Sequence, residues 1–518
     1  MSKPRYRVGL DGSNPRVMDA QGAFRPFGPL GSAASFEAAG YGRRLANFVP
    51  SRVHINSAIQ AAGRTLVKRA RFLVENNGYA GNAVDVWAAW VVGEGIQPLV
   101  KVKGHERRKK VRSLWKKWAR ECDAEGMTNF SGLQEKIARE AYIAGEVFVR
   151  RRKRRRGDMM SGIPVQFQIL PSEMLDLAFN QDLGDGRYIR MGIEFNAIGR
   201  RLAYHFWRQH PDDLVQRLPT TELRSRVPAE DVLHVFDGRQ GGQIRGVSKF
   251  SRAMVKLFMF DLYDDAELDR KKTAALYAGF VTKEGENSPI DGDEDEDGDV
   301  QLEPGAMVVL NGGEKVEWSK PADVGGSYEP FQYRTLLQVG AALGIPYAYL
   351  SGDTTKGNFA NVRTEIINFR RRVGQHQANV IIPQSCDPMA EWWFEAADLA
   401  GEFTLDDDDE VDWLPPKMDW VDPAVDVKAD ILAVRAGFKS RTRVVAGLGE
   451  DREELDDEIQ SEMEDADRRG IILDTDPRRT SMAGMSNAMP PGSGYADADD
   501  EIQQPSADQP TESAGGAE

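Results

Sequence analysis

Apolar residues recur at helical spacing along two long stretches in the middle of the chain. The first stretch, residues 246–276, places five of them on one face of a helix: Val247, Phe250, Met254, Leu257 and Phe258. No proline interrupts this range, so the expected helix would be about 45 Å long at the usual rise per residue. Its second half, DLYDDAELDRKK, is charged nearly all round and must be solvated or paired with similar helices. The alternative interpretation is a long surface helix that bridges two domains.

The second stretch predicts a helix, a turn and another helix. The helix from residue 330 has an imperfect apolar face, and Pro346 ends or kinks it. That face comprises Phe331, Leu336, Val339, Ala342 and Leu343. Residues 351–358, SGDTTKGN, are small and polar, which is typical of a turn. A long helix is expected over 359–382, ended by Pro383, with one side formed by Val362, Ile366, Phe369 and Val373.

The first half of the chain shows both helical and strand periods. Helical spacing predicts one helix around residues 55–67 and another over 83–92, with the break NNGYAGN between them. A third, in HERRKKVRSLWKKWAREC, has a Trp-rich face that we expect to lie in the core beneath a basic surface. Residues 146–236 alternate β-branched and aromatic residues between Gly, Pro and Asp turns. This half therefore predicts an α+β fold with a mainly antiparallel sheet.

Composition narrows the class of protein. The chain has 518 residues, of which 41% are hydrophobic, enough for two to four domains. No apolar run approaches the length of a membrane span and no signal-peptide core begins the chain, so we expect a folded intracellular protein without membrane contact. Cys122 and Cys386 are far apart, which favours buried free thiols. The net charge of −14 argues against wholesale wrapping of nucleic acid.

A run of seven basic residues lies between the first two expected strands. It comprises Arg150, Arg151, Arg152, Lys153, Arg154, Arg155 and Arg156. Such a run repels itself, so it must be solvated or bound to an anion, and phosphate contact is one hypothesis. A solvated hairpin tip is the alternative. No aromatic residue interrupts the run, so the stacking platforms of a single-strand binder are missing.

An acidic segment, DGDEDEDGDVQLEPG, partly matches a calcium-binding loop. Asp293, Asp295 and Asp297 fit the first half of the EF-hand pattern. The position of the bidentate glutamate is occupied by Pro304, and β-like sequence follows where the second helix should begin. We therefore expect an acidic loop in which these three aspartates are at most a weak cation site, and no other metal site.

Catalytic motifs are missing from the sequence. It contains no phosphate-binding loop of the GxxxxGK[ST] type, no HExxH and no GxSxG, and its six histidines lack metal-ligand spacing. The densest acidic runs lie in loop-like sequence, where a fixed metal geometry is hard to achieve. The sequence therefore predicts no enzyme and no cofactor.

Several moderately specific segments follow one another between about residues 50 and 400. They include VENNGYAGNAVDVWAAWVVGEGI, IAREAYIAGEVFVRR, PVQFQILPSEMLDL, MGIEFNAIGRRLAYHFWRQHP, VPAEDVLHVFDGRQGGQIRGVSKFSRAMVKL, LGIPYAYLSGD and NFANVRTEI. Their order resembles that of tailed-bacteriophage portal proteins of the lambda-like family. The basic run and the acidic segment are not part of that pattern, so the resemblance assigns them no role.

The resemblance implies an α+β portal-type subunit that assembles, as about twelve copies, into a ring around a DNA channel. Carried onto this chain, it implies a wing (51–245), a first stem helix (246–276), a clip with the acidic loop (277–329), a second stem helix (330–350), a tunnel loop (351–358), a long helix returning to the wing (359–400) and an acidic helical crown (401–479). Composition adds the two ends: residues 1–50, rich in Gly, Pro and Ala, predict an extended N-terminal arm, and residues 480–518, rich in Gly, Pro, Ser, Asp and Gln, predict a disordered tail.

Site residues and partners follow from the same resemblance. The channel-facing residues would be Thr354, Thr355, Lys356 and Asn358, and the stem contacts between subunits would involve Asp264, Asp265, Glu267, Arg270 and Lys271. The implied partners are further copies of the chain, the terminase large subunit, the major capsid protein or scaffold, a head–tail adaptor and double-stranded DNA. The implied location is the portal vertex of the virion, after assembly in the host cytoplasm.

Two other functions stay open from the sequence alone. A monomeric or low-order nucleic-acid-binding protein would use the run from Arg150 to Arg156 and would bind DNA in a salt-sensitive way. A nucleic-acid enzyme would need dispersed carboxylates, since the common motifs are missing. A ring conduit instead predicts a large homo-oligomer without turnover.

Overall fold

The computed structural model describes residues 8–11, 14–18, 24–26, 53–213, 223–275, 279–283, 314–318, 328–357, 359–404, 406, 409–417 and 423–471. The chain divides into two compact units, Met1–Pro416 and Lys417–Glu518. The acidic segment with Asp293, Asp295 and Asp297, the expected tail over 480–518 and Asn358 lie outside the described residues.

The helices of the first unit are α1 (Ile55–Asn76), α2 (Gly78–Val91), α3 (His105–Trp118), α4 (Phe130–Ile143), α5 (Met254–Ala275), α6 (Tyr328–Leu343), α7 (Tyr347–Ser351), α8 (Phe359–His376) and α9 (Asp387–Leu399). Those of the second unit are α10 (Pro423–Arg435), α11 (Arg441–Gly447) and α12 (Arg452–Arg469). Short 3-10 turns and one π-helical segment, Gln377–Cys386, complete the helical structure of the described residues.

The strands are β1 (Val8–Asp11), β2 (Asn14–Met18), β3 (Phe24–Pro26), β4 (Gln97–Lys101), β5 (Glu146–Lys153), β6 (Val165–Pro171), β7 (Gln181–Gly184), β8 (Arg187–Arg190), β9 (Ile193–Phe195), β10 (Arg201–Trp207), β11 (Arg224–Pro228), β12 (Val232–Phe236), β13 (Gly279–Lys283), β14 (Glu314–Trp318) and β15 (Glu410–Leu414). The expected N-terminal arm thus contains a three-stranded antiparallel sheet, β1-β2-β3.

Two antiparallel sheets form the region over 146–236, which confirms the predicted strand period. One has the order β12-β5-β6 and the other β11-β10-β9-β8-β7. Phe148 and Leu170 of the first sheet pack against Tyr204, Phe206 and Ile193 of the second in one buried cluster. Alternate residues of each strand supply this cluster, because successive side chains of a strand point to opposite faces.

A single residue separates the first two helices. Asn77 ends α1, and its side-chain oxygen accepts a hydrogen bond of 3.0 Å from the N–H of Ala80 at the start of α2. The predicted break is therefore only one residue long, because an asparagine at the helix N-terminus satisfies a backbone donor that would otherwise lack a partner.

The Trp-rich face of α3 lies in the core, as predicted. Trp115 and Trp118 are buried and contact Trp393 of α9 at ring-centroid distances of 5.1 and 6.2 Å. Cys122 and Cys386 are both buried free thiols, also as predicted. Burial raises the pKa of Cys386 to about 12, so this thiol stays protonated at neutral pH.

The first long helix begins later than predicted. A 3-10 turn over Lys249–Arg252 precedes it, and α5 starts at Met254 rather than at residue 246. Its length is therefore about 33 Å instead of about 45 Å. Of the residues predicted to share one face, Phe250 and Leu257 are buried, whereas Phe258 is half exposed.

The helix after the turn does not end at Pro383, which corrects the prediction. The chain continues as helix from α8 through the π-helical segment into α9, with Pro383 inside that segment. Proline lacks a backbone donor and clashes with the carbonyl four residues earlier in an α-helix. The wider π turn changes that hydrogen-bond pattern, so the helix can pass the proline without stopping.

The second compact unit begins at Lys417, later than residue 401, where the helical crown is expected to begin. Strand β15 pairs antiparallel with β4, so this part of the range belongs to the first unit. The second unit, from Lys417, is helical as predicted. At the start of its α12, the side chain of Asp451 accepts a hydrogen bond of 2.9 Å from the N–H of Glu453 and so caps the helix.

Candidate assembly and channel surfaces

An apolar stripe runs along the outer side of α5. It comprises Val255, Phe258, Met259, Leu262 and Ala266, all of them exposed, and we call it the α5 stripe. These residues share one face of the helix, because they are spaced by three or four residues. The buried residues Leu257 and Phe260 occupy the opposite side. Contiguous exposed apolar stripes are typical of surfaces that contact another protein, a membrane or a ligand.

The charged residues expected at subunit contacts mostly have partners within the chain. Asp264 accepts hydrogen bonds of 3.2 Å from Tyr328 and from Gln332 of α6. Glu267 is largely buried and pairs with Arg270 at 2.6 Å and with Lys271 at 3.8 Å. The hydrogen bond from Arg270 holds the pKa of Glu267 below its usual value. Asp265 is exposed.

The turn expected to face the channel is exposed and carries its own hydrogen bonds. Thr354 is exposed, and Thr355 donates from both its N–H and its hydroxyl to Asp353 at 2.8 and 2.6 Å. These bonds hold the pKa of Asp353 below its usual value. Lys356 pairs with Glu329 at the start of α6. The turn therefore presents small polar groups and a lysine whose charge is already compensated.

Side chains of α2 and α4 hold the two helices that precede this turn, α6 and α7. Asn82 of α2 donates to the carbonyls of Tyr349 and Leu350 at 2.7 and 2.9 Å. The hydroxyl of Tyr142 donates to the carbonyl of Leu343 at 2.8 Å. Both satisfy carbonyls at helix C-termini that lack partners within their helices. No local sequence pattern pointed to Asn82 or Tyr142, because their partners lie far away along the chain.

A buried ionic cluster joins the sheets to the segment that leads into α5. Glu146, at the start of β5, accepts from Arg245 at 2.5 to 3.0 Å, from Ser172 at 2.7 Å and from the N–H of Gly246 at 2.7 Å. His234 of β12 lies 2.9 Å from the same carboxylate. We call Glu146, Arg245 and His234 the buried triad.

Electrostatics keep the triad in one charge state at neutral pH. Burial by itself would raise the pKa of Glu146, but the charge of Arg245 and the hydrogen bond from His234 hold it far below its usual range. Burial lowers the pKa of His234 to about 4, even though Glu146 favours its charged form. Glu146 is therefore ionised and His234 neutral, and one carboxylate faces one guanidinium.

Backbone packing at the triad requires glycine. A Cβ on Gly145, which has a φ of 92°, would lie 2.2 Å from the backbone of Val247. The start of β5 and the segment before α5 thus touch through their main chains. One signal for this site was available in the sequence: Glu146 is a lone acid directly before three apolar residues of an expected strand.

Acidification should weaken the fold through His234. In the unfolded chain His234 has an ordinary pKa and takes up a proton below about pH 6.5. In the folded chain His234 takes up that proton only near pH 4. Stability that is present above about pH 6.5 is therefore lost as the pH falls toward 4, by about 2 kcal/mol between about pH 7 and pH 5. Denaturant unfolding of the wild type and of His234→Gln, whose amide cannot titrate, should show a smaller pH-dependent loss in the variant. Equal losses would contradict this assignment.

The hairpin-tip interpretation holds only for the end of the basic run, because Arg154 to Arg156 lie in the connection between β5 and β6. Residues Arg150 to Lys153 form the second half of β5, which lies between β6 and β12. Arg151 pairs with Asp231 at 2.9 Å and with Glu395 at 2.6 Å, and it lies over the ring of Trp392. Arg156 pairs with Glu402, and Arg155 is exposed. Part of the charge is thus neutralised within the chain.

The described residues contain neither a metal-binding cluster nor a membrane-spanning helix. Within them, no group of three or more His, Cys, Asp or Glu side chains is arranged to hold a metal ion. None of the described helices is both long and apolar enough to cross a membrane.

Comparison with known proteins identifies the family. The sequence pattern of the phage portal proteins of the lambda family matches residues 41–377. The chain belongs to the lambda family of phage portal proteins. It is 27% identical to the probable portal protein of Halomonas phage phiHAP-1 over 439 residues, which cover 79% of this chain and 81% of that protein. It is 23% identical to portal protein B of Escherichia phage lambda over 487 residues, covering 83% and 90%.

Solved structures also resemble this portal protein at low identity. One is the neck of a native gene transfer agent particle computed with C12 symmetry, with a TM-score of 0.41, 16% identity, and coverage of 79% of this chain and 99% of that chain. Another is a virion of a native gene transfer agent particle, with a TM-score of 0.42, 16% identity, and coverage of 75% and 93%.

Family membership decides between the functions left open by the sequence. As a phage portal protein, the chain is a structural, non-enzymatic component of the phage head. The alternative of a monomeric nucleic-acid-binding protein is not favoured, because the family match covers residues 41–377, which include both the strands over 146–236 and the long helices.

Proposed function

We propose that copies of this portal protein close into a ring of about twelve subunits, through which double-stranded DNA enters and leaves the head at one vertex. The α5 stripe carries this proposal. In a closed ring each subunit presents the same two surfaces to its neighbours, so an apolar stripe on every copy is covered in every interface. In a monomer the stripe would remain in water, where its exposure is unfavourable.

The contacts of α5 and α6 suit two stem helices that act as one rod. Tyr263 contacts Phe331 and Tyr328 at ring-centroid distances of 4.7 and 6.2 Å. Lys271 lies over the ring of Tyr328 at 4.5 Å. Phe331, on the predicted apolar face of α6, is nearly half exposed in the single chain. These contacts fix one helix against the other and leave the α5 stripe free for a neighbouring subunit.

The turn over 351–358 is the proposed tunnel loop. A conduit must let DNA slide, so its inner surface should not bind phosphates tightly. Thr354 and Thr355 are uncharged, and Lys356 already has Glu329 as a partner. This composition gives a weakly interacting surface. Asn358 is proposed to belong to the same loop.

The proposed partners follow the parts of the subunit. The sheets and helices over 51–245 would form the wing facing the major capsid protein or scaffold. The region between α5 and α6, including the β13 and β14 pair, would form the clip that meets the terminase large subunit and later the head–tail adaptor. The helices α10 to α12 would form the crown. Assembly would occur in the host cytoplasm before the ring becomes part of the virion.

Native mass spectrometry with negative-stain imaging tests the ring. In moderate salt and without DNA, we expect particles of about a dozen subunits with a central hole. Only monomers or dimers at micromolar concentration, in a protein that unfolds cooperatively, would count against self-assembly through the α5 stripe.

A further inference from the structure

Three arginines of the basic run lie on one face of β5 and of the residue that follows it. Arg150, Arg152 and Arg154 alternate along the chain, and we call them the arginine ladder. Gln168 and Gln166 of β6 lie opposite Arg150 and Arg152 in the antiparallel register. Arg152 donates to Gln168 at 2.6 and 2.9 Å, and Arg154 donates to Gln166 at 2.8 Å. The two glutamines thus orient two guanidinium groups without neutralising them.

The other two basic residues of β5 form ion pairs with carboxylates, whereas the charge of the ladder is compensated only in part, by Asp231 acting on Arg150. Arg151 and Lys153 both pair with Asp231. Within the described part of the chain, no carboxylate forms an ion pair with any guanidinium of the ladder. Burial lowers the pKa of Arg152, and the charges of Arg150 and Arg154 lower it further. The ladder therefore carries three positive charges that repel one another.

The spacing of the ladder fits an extended polypeptide. Alternate residues of a strand are about 7 Å apart, and the same distance separates alternate side chains of any other extended chain. Carboxylates at every second position of such a chain would meet the guanidinium groups one to one. Guanidinium–carboxylate hydrogen bonds are among the strong ones, because both groups are charged and planar.

A nucleic acid fits the same face less well. The ladder is one residue wide and contains no aromatic side chain on which bases could stack. The net charge of −14 opposes the approach of a long polyanion. A short acidic segment needs only the strip itself. We propose that the arginine ladder binds an extended acidic segment of another polypeptide, with carboxylates at alternate positions.

Peptide binding to the full chain tests this proposal independently of the ring. The probe is a fluorescently labelled heptapeptide of alternating Asp and Ser, compared by anisotropy with a heptapeptide of the same composition whose aspartates are adjacent. We expect Arg150→Gln with Arg154→Gln to weaken binding of the alternating peptide about tenfold, since each loses a charge-assisted hydrogen bond. We expect the adjacent-aspartate peptide to bind the wild type more weakly.

The matched control is Lys153→Gln with Arg155→Gln, which removes the same charge from outside the ladder. It should weaken binding by less than about twofold, since neither side chain belongs to the ladder face and exposed charges are screened by salt. If the Arg150→Gln with Arg154→Gln variant unfolds at a lower temperature than the wild type, Arg154→Gln alone replaces it in the binding test. Arg154 is exposed, so this single substitution should not affect folding. Equal losses in the two double variants, equal binding of the two peptides or no binding would overturn the proposal. Tighter binding of duplex DNA through the ladder would overturn it in favour of a nucleic-acid site.

Discussion

Replacing Arg245 with methionine is expected to lower the free energy of unfolding of the first compact unit by about 3–5 kcal/mol. Arg245 is fully buried, and its guanidinium donates hydrogen bonds to the carboxylate of Glu146 and to the carbonyls of Leu175 and Met191. Methionine fills a similar space but leaves the buried carboxylate of Glu146 without its countercharge. Equilibrium unfolding in denaturant, followed by tryptophan fluorescence, measures the loss.

The companion variant separates the lost charge from lost packing. Glu146→Leu with Arg245→Met removes both charges, and a buried ion pair replaced by apolar groups is often nearly neutral in stability. We therefore expect the double variant to recover much of the loss seen in Arg245→Met. Arg155→Met, at an exposed arginine, should change stability by roughly 0.5 kcal/mol or less. A double variant no more stable than the single one would show that the hydrogen bonds to carbonyls dominate instead.

Placing a charge in the α5 stripe should have the largest effect on assembly. Leu262→Glu buries a carboxylate in every proposed interface of the ring, where it has no partner. We expect association to weaken by at least about tenfold, with rings replaced by smaller species in native mass spectrometry. The monomer should unfold at an unchanged temperature, because Leu262 is half exposed in the single chain.

Leu268 provides the matched control for this variant. It is exposed to a similar extent as Leu262, on the same helix, but lies away from the α5 stripe. Leu268→Glu should leave ring formation nearly unchanged. Equal loss of rings in both variants would show that added negative charge, rather than the stripe, disrupts assembly.

The charged residues of α5 call for a different kind of substitution. Changing Asp264 or Glu267 to lysine would first break contacts within the chain, with α6 and with Arg270. Asp265, which is exposed, offers a simpler test of charge pairing between neighbouring subunits. Exposed pairs of this kind contribute little, so we expect Asp265→Lys to affect assembly less than Leu262→Glu, as measured by the fraction of rings in native mass spectrometry.

The sequence by itself determined the family, the α+β class and most helices and strands. Periodicity reports which residues of one element share a face, and this local property survives without knowledge of the partners. It therefore predicted the core position of Trp115 and Trp118 and the antiparallel strands over 146–236. It also contained the spacing of the α5 stripe, but α5 is apolar on two sides, and periodicity alone could not tell the packed side from the exposed one.

Only the tertiary structure decided what depends on distant partners. In the sequence the basic run is one uninterrupted series of positive charges. In the structure Asp231 and Glu395 neutralise Arg151, whereas no carboxylate forms an ion pair with the arginine ladder among the described residues. Glu146 and Arg245 are far apart in sequence and meet only when the segment before α5 packs against the sheets. Pro383 lies within a helix because a π turn accommodates it. Long-range pairing and burial set these outcomes, since an ion pair or a helix break depends on groups that no local window contains.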